Sequence, residues 1–232
     1  MEPYQLTLSA AAAQIKAGRL SPVELTNSVL DRIDATHNTL HAFVCVTADL
    51  ARHAAQAAAG EIAAGRYRGP LHGIPLGVKD LYDTAGVASE SGSKVRAGYV
   101  PHTNAVAVER LFAAGMVMVG KTHTHEFAYG VLTPTTRNPW DTGRVPGGSS
   151  GGSGAAVAAG ECLVGMGTDT GGSIRIPASY CGIVGVKPTL GLVPEAGVTP
   201  LCPSLDHVGT LTRTVQQAAA LLSVLAGSEI VL

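Results

Sequence analysis

Charge is the scarcest property of this 232-residue chain. Only 14% of its residues are Asp, Glu, Lys or Arg, against about 25% in an ordinary soluble domain. The 17 acidic and 16 basic residues nearly cancel, leaving a formal net charge of −1. That balance provides no basic surface for nucleic-acid or membrane phosphates, and it argues against direct RNA or DNA binding by this chain. Long hydrophobic runs are also missing: 46% of the residues are apolar, yet none of the runs approaches the ~18–20 residues needed to span a bilayer. The start, Met1-Glu2-Pro3-Tyr4, lacks the basic and apolar regions of a signal peptide. Cysteine is sparse and scattered. Cys45, Cys162, Cys181 and Cys202 form no C-x-x-C pair, so they read as small buried hydrophobes rather than disulfides or zinc ligands. A reducing, cytoplasmic setting is the expectation. What remains is rich in Gly and Ala, a composition suited to a compact core whose surface is covered by other parts of the protein or by a partner.

The periodicity predicts elements in a clear order. Residues 7–17 form an amphipathic pattern ending at Gly18, and Ser21-Pro22-Val23-Glu24 is a capping box with proline at the first helical position. It opens a helix to about Thr36, and an alanine-rich helix follows from Ala48 to Ala64. Residues 1–66 thus read as a helical layer. From Gly69-Pro70 onwards the pattern changes. Ile74–Lys79 and Met116–Val119 read as buried strands, with a helix over Asn104–Ala114 between them. Ser153–Gly160 suits a helix, Cys162–Gly167 and Gly182–Val186 suit strands, and Thr212–Ala226 suits a last helix with Leu211, Val215, Leu222 and Leu225 on one face. Strands alternating with helices indicate an α/β class.

Two familiar patterns fail on context. Gly115-Met116-Val117-Met118-Val119-Gly120-Lys121-Thr122 satisfies the P-loop expression, but a phosphate cradle needs a loop where Met-Val-Met-Val predicts a strand. Lys121 then reads as structural. Gly148-Ser149-Ser150-Gly151-Gly152 satisfies the nucleophile-elbow expression. That elbow follows a strand, whereas Arg144-Val145-Pro146 precedes this one, and the adjacent Asp206-His207 make a poor acid–base pair. His123-Thr124-His125-Glu126 fits no zinc signature and reads as a polar loop near the core, so no metal is expected.

Two glycine-rich, serine-bearing turns remain. They are Pro146-Gly147-Gly148-Ser149-Ser150-Gly151-Gly152-Ser153-Gly154 and Gly167-Thr168-Asp169-Thr170-Gly171-Gly172-Ser173-Ile174-Arg175. One short helix and one strand fit between them, a layout that brings hydroxyls and backbone N–H groups from both turns towards one point. Lys79 ends an apolar strand. It reads either as a solvated charge, paired with Asp80, or as a buried lysine whose depressed pKa makes it a base. On these residues alone, Ser–Lys catalysis and a purely structural role both stand.

Gly77-Val78-Lys79-Asp80, Gly147–Ser153, Gly167–Ser179, Cys181-Gly182-Ile183-Val184-Gly185-Val186-Lys187-Pro188-Thr189 and Asn138-Pro139-Trp140-Asp141 together resemble the amidase signature family, in order from about residue 7 to 227. The resemblance implies a mixed β-sheet core covered by helices. Residues 1–66 would be a helical layer of the same domain, and 67–232 the N-terminal part of the catalytic α/β core. It implies Ser173 as nucleophile, Ser149 as bridging serine after a cis Gly148–Ser149 bond, and Lys79 as general base. The N–H groups of Thr170, Gly171, Gly172 and Ser173 would form the oxyanion hole, supported by Ser150, Asp169 and Arg175, with Asp169 and Arg175 ion-paired. No cofactor is implied.

Family members run to about twice this length, so the fold is expected to be incomplete at the C-terminus. Such a piece is expected to be poorly stable alone or to associate, with the missing C-terminal half, a partner subunit or a second copy in a homodimer; a cooperative, monomeric urea transition counts against this. The resemblance implies a small-molecule amide substrate. It leaves three readings: a stand-alone amidase, the ammonia-releasing glutaminase subunit of an aminoacyl-tRNA amidotransferase, and an inactive fragment. His123-Thr124-His125-Glu126 differs from the Asn-Met-Asp-Glu associated with the transamidase subunit, which favours the stand-alone enzyme.

Overall fold

The computed structural model describes residues 1–228. Helices α1 (Leu8–Lys16) and α2 (Pro22–Leu40) open the chain. Their starts follow from local chemistry: Thr7 accepts from Ala10 N, and Ser21 and Glu24 form the reciprocal capping box. α2 runs four residues past its expected end and stops where His41 turns left-handed. Next come β1 (Phe43–Val46), α3 (Ala48–Ala63), β2 (Pro75–Lys79), α4 (Val106–Ala113) and β3 (Val117–Thr122). Then follow α5 (Gly151–Ala159), β4 (Val164–Thr168), α6 (Arg175–Cys181), β5 (Val184–Val186), β6 (Val208–Thr212) and α7 (Val215–Ala226).

The strands form one mixed sheet in the order β1-β3-β2-β4-β6-β5. β3, β2 and β4 are mutually parallel at its centre, while β1, β6 and β5 pair antiparallel. The mixed α/β class read from the sequence is the class observed. Three elements escaped that reading: β1, which places a strand inside the segment taken as a helical layer, and both α6 and β6. Leu211, assigned to the face of the last helix, belongs to β6 instead, and that helix starts at its Thr214–Gln217 capping box.

α5 explains the small-residue composition. Eight of its nine residues are buried, and all but Val157 are Gly, Ala or Ser, which lets it lie close against the sheet. It starts two residues before its expected position, which makes Ser150 its N-cap residue. The carboxyl ends of parallel strands are where open α/β sheets present their chemistry. Here β2 ends at Lys79 and its neighbour β4 ends at Thr168.

Candidate active site

Lys79 and Lys121 are both fully buried, each at or near the end of its strand, and their surroundings differ. Lys121 lies 3.4 Å from Asp80 Oδ1 and donates to Tyr82 O at 2.7 Å and Ser89 Oγ at 2.6 Å. It forms a buried ion pair between β3 and the residue that follows β2, and its run Val117–Thr122 is strand rather than loop. Asp80 therefore pairs with Lys121, and the Lys79–Asp80 pair offered by the sequence does not form. Lys79 has no carboxylate within ion-pair distance among the described residues. Its Nζ instead meets three hydroxyls: Ser149 at 2.7 Å, Thr168 at 2.8 Å and Ser150 at 2.9 Å. Burial pushes the Lys79 amine well below its ordinary range, against the opposing pull of the Asp169 and Asp206 carboxylates. Burial among hydroxyl partners alone favours the neutral amine, because no carboxylate in contact repays desolvation of the charge.

The first serine turn delivers two of those hydroxyls. The Gly148–Ser149 peptide is cis. Ser149 O accepts from His125 N and from Thr133 Oγ1, each at 3.1 Å. Ser150 Oγ donates to Thr168 O at 3.2 Å and accepts from Thr168 N at 3.3 Å. Its proton is thus committed, and it accepts from Lys79. Ser150, expected as a support beyond direct contact, touches the lysine itself.

The second turn is organised by one carboxylate. Fully buried Asp169 accepts from Gly172 N at 2.7 Å, Ile174 N at 3.2 Å and Arg175 N at 3.3 Å. It takes a forked pair of bonds from Arg175 Nε and Nη2, each 2.9 Å. Burial raises the Asp169 carboxyl, but Arg175 and the three N–H groups outweigh it and hold the group below its usual value. The expected Asp169–Arg175 ion pair is present. Gly172 has a partner of its own. Its N–H, assigned to the oxyanion position, is committed to Asp169. Among the described residues, the N–H groups of Thr170, Gly171 and Ser173 have no protein acceptor.

The two turns meet through the backbone, where Ser150 N donates to Ser173 O at 3.1 Å. Ser173 is buried, just before α6. Among the described residues no hydrogen bond joins its hydroxyl to that of Ser149, whose Oγ is hydrogen-bonded to Lys79 Nζ. A cavity of about 100 Å³ opens beside Thr168 and Thr170, and Glu195, Asp206 and His207 also line it. Asp206 and His207 are not an acid–base pair. Asp206 accepts from Leu201 N, Cys202 N and the Thr170 hydroxyl, while His207 Nδ1 lies 2.7 Å from Leu205 O.

Sequence reasoning missed Thr168 and Thr133. Thr168 had a signal, being a hydroxyl that ends an apolar strand just before the second turn. Thr133 had none. Among the described residues no His, Cys, Asp and Glu group could hold a metal, and no helix is long and apolar enough to cross a membrane.

Comparison with known proteins shows the family. The family model for Amidase matches residues 24–231. One subunit of the glutamyl-tRNA(Gln) amidotransferase of Carboxydothermus hydrogenoformans is 47% identical over 99% of this chain and 48% of its own. A crystal structure of an amidase is 43% identical with a TM-score of 0.93, covering 98% of this chain and 53% of that one. The peptide amidase of Stenotrophomonas maltophilia is 39% identical with a TM-score of 0.92, covering 99% and 50%. The chain spans about half the length of the relatives it matches. With its fold, its two serine turns and a family match across most of its length in agreement, this chain belongs to the amidase family.

Proposed function

We propose that this chain carries the catalytic centre of an amide hydrolase working through an acyl-enzyme on Ser173, with Ser149 as proton relay and Lys79 as base. The observation that carries the proposal is the Lys79 environment: three hydroxyls within 2.9 Å and no carboxylate partner. A neutral amine has two N–H donors and one lone pair. Ser150 accepts one N–H, since its own proton goes to Thr168 O. One of the two remaining hydroxyls, Ser149 or Thr168, must then donate to the lone pair, and donation from Ser149 sets up the relay.

In the first step Ser173 Oγ attacks the amide carbonyl carbon. Its proton passes to Ser149 Oγ as the Ser149 proton passes to Lys79 Nζ. The carbonyl oxygen becomes an oxyanion held by the N–H groups of Thr170, Gly171 and Ser173, a type of contact worth roughly 3–4 kcal/mol per donor in the transition state. Protonated Lys79 returns a proton through Ser149 to the departing nitrogen, the C–N bond breaks, and an ester to Ser173 remains. Water loses its proton along the same relay and attacks that ester, giving the carboxylic acid and regenerating Ser173. The relay needs Ser149 and Ser173 within hydrogen-bonding reach, and such bonds commonly tighten only in the substrate complex.

A fluorophosphonate probe is expected to label the wild-type protein and not Ser173→Ala. Equal labelling of the two removes Ser173 from the nucleophile role, and absence of any wild-type labelling supports an inactive piece. A second reading rests on the 47% identity to an amidotransferase subunit: glutamine would be the amide, and the released ammonia would pass to a partner. Turnover of simple amides without a partner supports the hydrolase, while glutamine turnover that appears only with an added partner subunit supports the second reading.

A further inference from the structure

Thr133 is fully buried and has φ +46°, a left-handed conformation that β-branched residues rarely adopt. Such a conformation persists only where its surroundings impose it, and it commonly marks a functional constraint. Its side chain shows what is constrained. Thr133 Oγ1 donates to Ser149 O and accepts from Gly151 N, each at 3.1 Å, so one hydroxyl spans the turn that presents Ser149 and Ser150 to Lys79. Two glycines of that turn leave room for it. A Cβ on Gly151 would stand 2.6 Å from both Thr133 Cβ and Oγ1, and one on Gly148 would stand 2.9 Å from Oγ1. These two glycines therefore leave room for the side chain of a threonine well upstream in the chain. With His125 N also donating to Ser149 O, the Ser149 carbonyl has two donors while its hydroxyl meets the lysine.

We propose that Thr133 is a positioning residue, whose hydroxyl closes the first serine turn and sets Ser149 for proton relay. This rests on the amide-hydrolase reading above. The Thr133 methyl contributes volume and the hydroxyl contributes the two bonds, so substitutions can separate the roles. T133V keeps the shape and loses both bonds. T133S keeps the bonds and loses the methyl.

The experiment compares wild type, T133V and T133S by steady-state amide turnover and by crystal structure. T133V is expected to lower kcat about 10²-fold, the scale of an ångström-level misplacement, with KM little changed. T133S is expected to restore most of that loss. In the T133V crystal, Ser149 Oγ should lie beyond hydrogen-bond distance of Lys79 Nζ, and in T133S it should lie within it. T133A replaces T133V in both measurements if T133V does not fold. Wild-type turnover by T133V, or a T133S as slow as T133V, overturns the assignment. An unmoved Ser149 in T133V overturns it too, even if the wild-type chain turns over no amide. Wild-type inactivity with the expected displacement overturns the hydrolase reading and leaves the clamp supported.

Discussion

Lys79→Met is expected to lower amide turnover by about 10²–10⁴-fold, the usual range for losing a general base, while the fold is retained. Methionine fills much the same space at the end of β2 and removes only the amine. Ser150 keeps its bonds to Thr168 O and N, so the two serine turns stay joined. Unchanged turnover with a native circular dichroism spectrum excludes Lys79 as the base.

The same variant reports on the charge of that amine. Burial depresses the folded-state pKa of Lys79 well below its ordinary 10.5, so between the depressed value and 10.5 the unfolded chain binds a proton that the native protein does not. Stability then rises with pH across that window and is lost as pH falls through it. Methionine has no such linkage. The urea midpoint of K79M relative to wild type is therefore expected to be most favourable at the acid end of that window and to decline as pH rises towards 10.5. A difference that stays flat with pH sinks the neutral-lysine argument. Activity follows the same group in the opposite experiment: wild-type kcat/KM should rise with pH through the depressed Lys79 pKa and then level off.

Much of this site was legible in the residues because its chemistry is local. A lysine ending an apolar strand, and serines set among glycines, are visible without knowing what packs where. Helices with side-chain caps were equally readable, as at Ser21–Glu24. β1 and β6 were not, because four or five residues such as Val208-Gly209-Thr210-Leu211-Thr212 become a strand only through β4 and β5, which lie far away in sequence. α6 was hidden by Pro177, which is tolerated as the third helical residue because N–H groups of the first turn have no partner within the helix. The bond from the Gly172 N–H to Asp169 was hidden for a related reason. Glycine-rich turns advertise free donors, but the Asp169 carboxylate three residues upstream had already claimed this one. Thr133 shows the limit of local reading, since its role depends on a left-handed backbone that threonine by itself disfavours.

Gly152→Ala is expected to cost the fold about 2 kcal/mol or more, although alanine is the better helix former by about 1 kcal/mol. Gly152 sits in the first turn of α5, where its N–H donates to His123 O at 3.1 Å. A Cβ there would lie 2.5 Å from Ala42 O, 2.5 Å from His123 N and 2.6 Å from His123 O. All three are backbone atoms, and His123 N donates to Ala42 O at 2.9 Å, so no side chain can swing aside. The methyl group must wedge open the junction of β1 and β3 or lift α5 from the sheet. At roughly 2–4 °C per kcal/mol for a chain of this size, Tm should fall by about 4–8 °C. Lifting α5 also carries Ser149 and Ser150 away from Lys79, so probe labelling at Ser173 should fall with it. Gly171→Ala is the control, because a Cβ there meets nothing within 4 Å, and its Tm should match the wild type. A G152A protein that melts like G171A means that α5 does not lie against the His123 backbone at this distance. In that event the close seat of the helix no longer accounts for the second pair of glycines in the first serine turn.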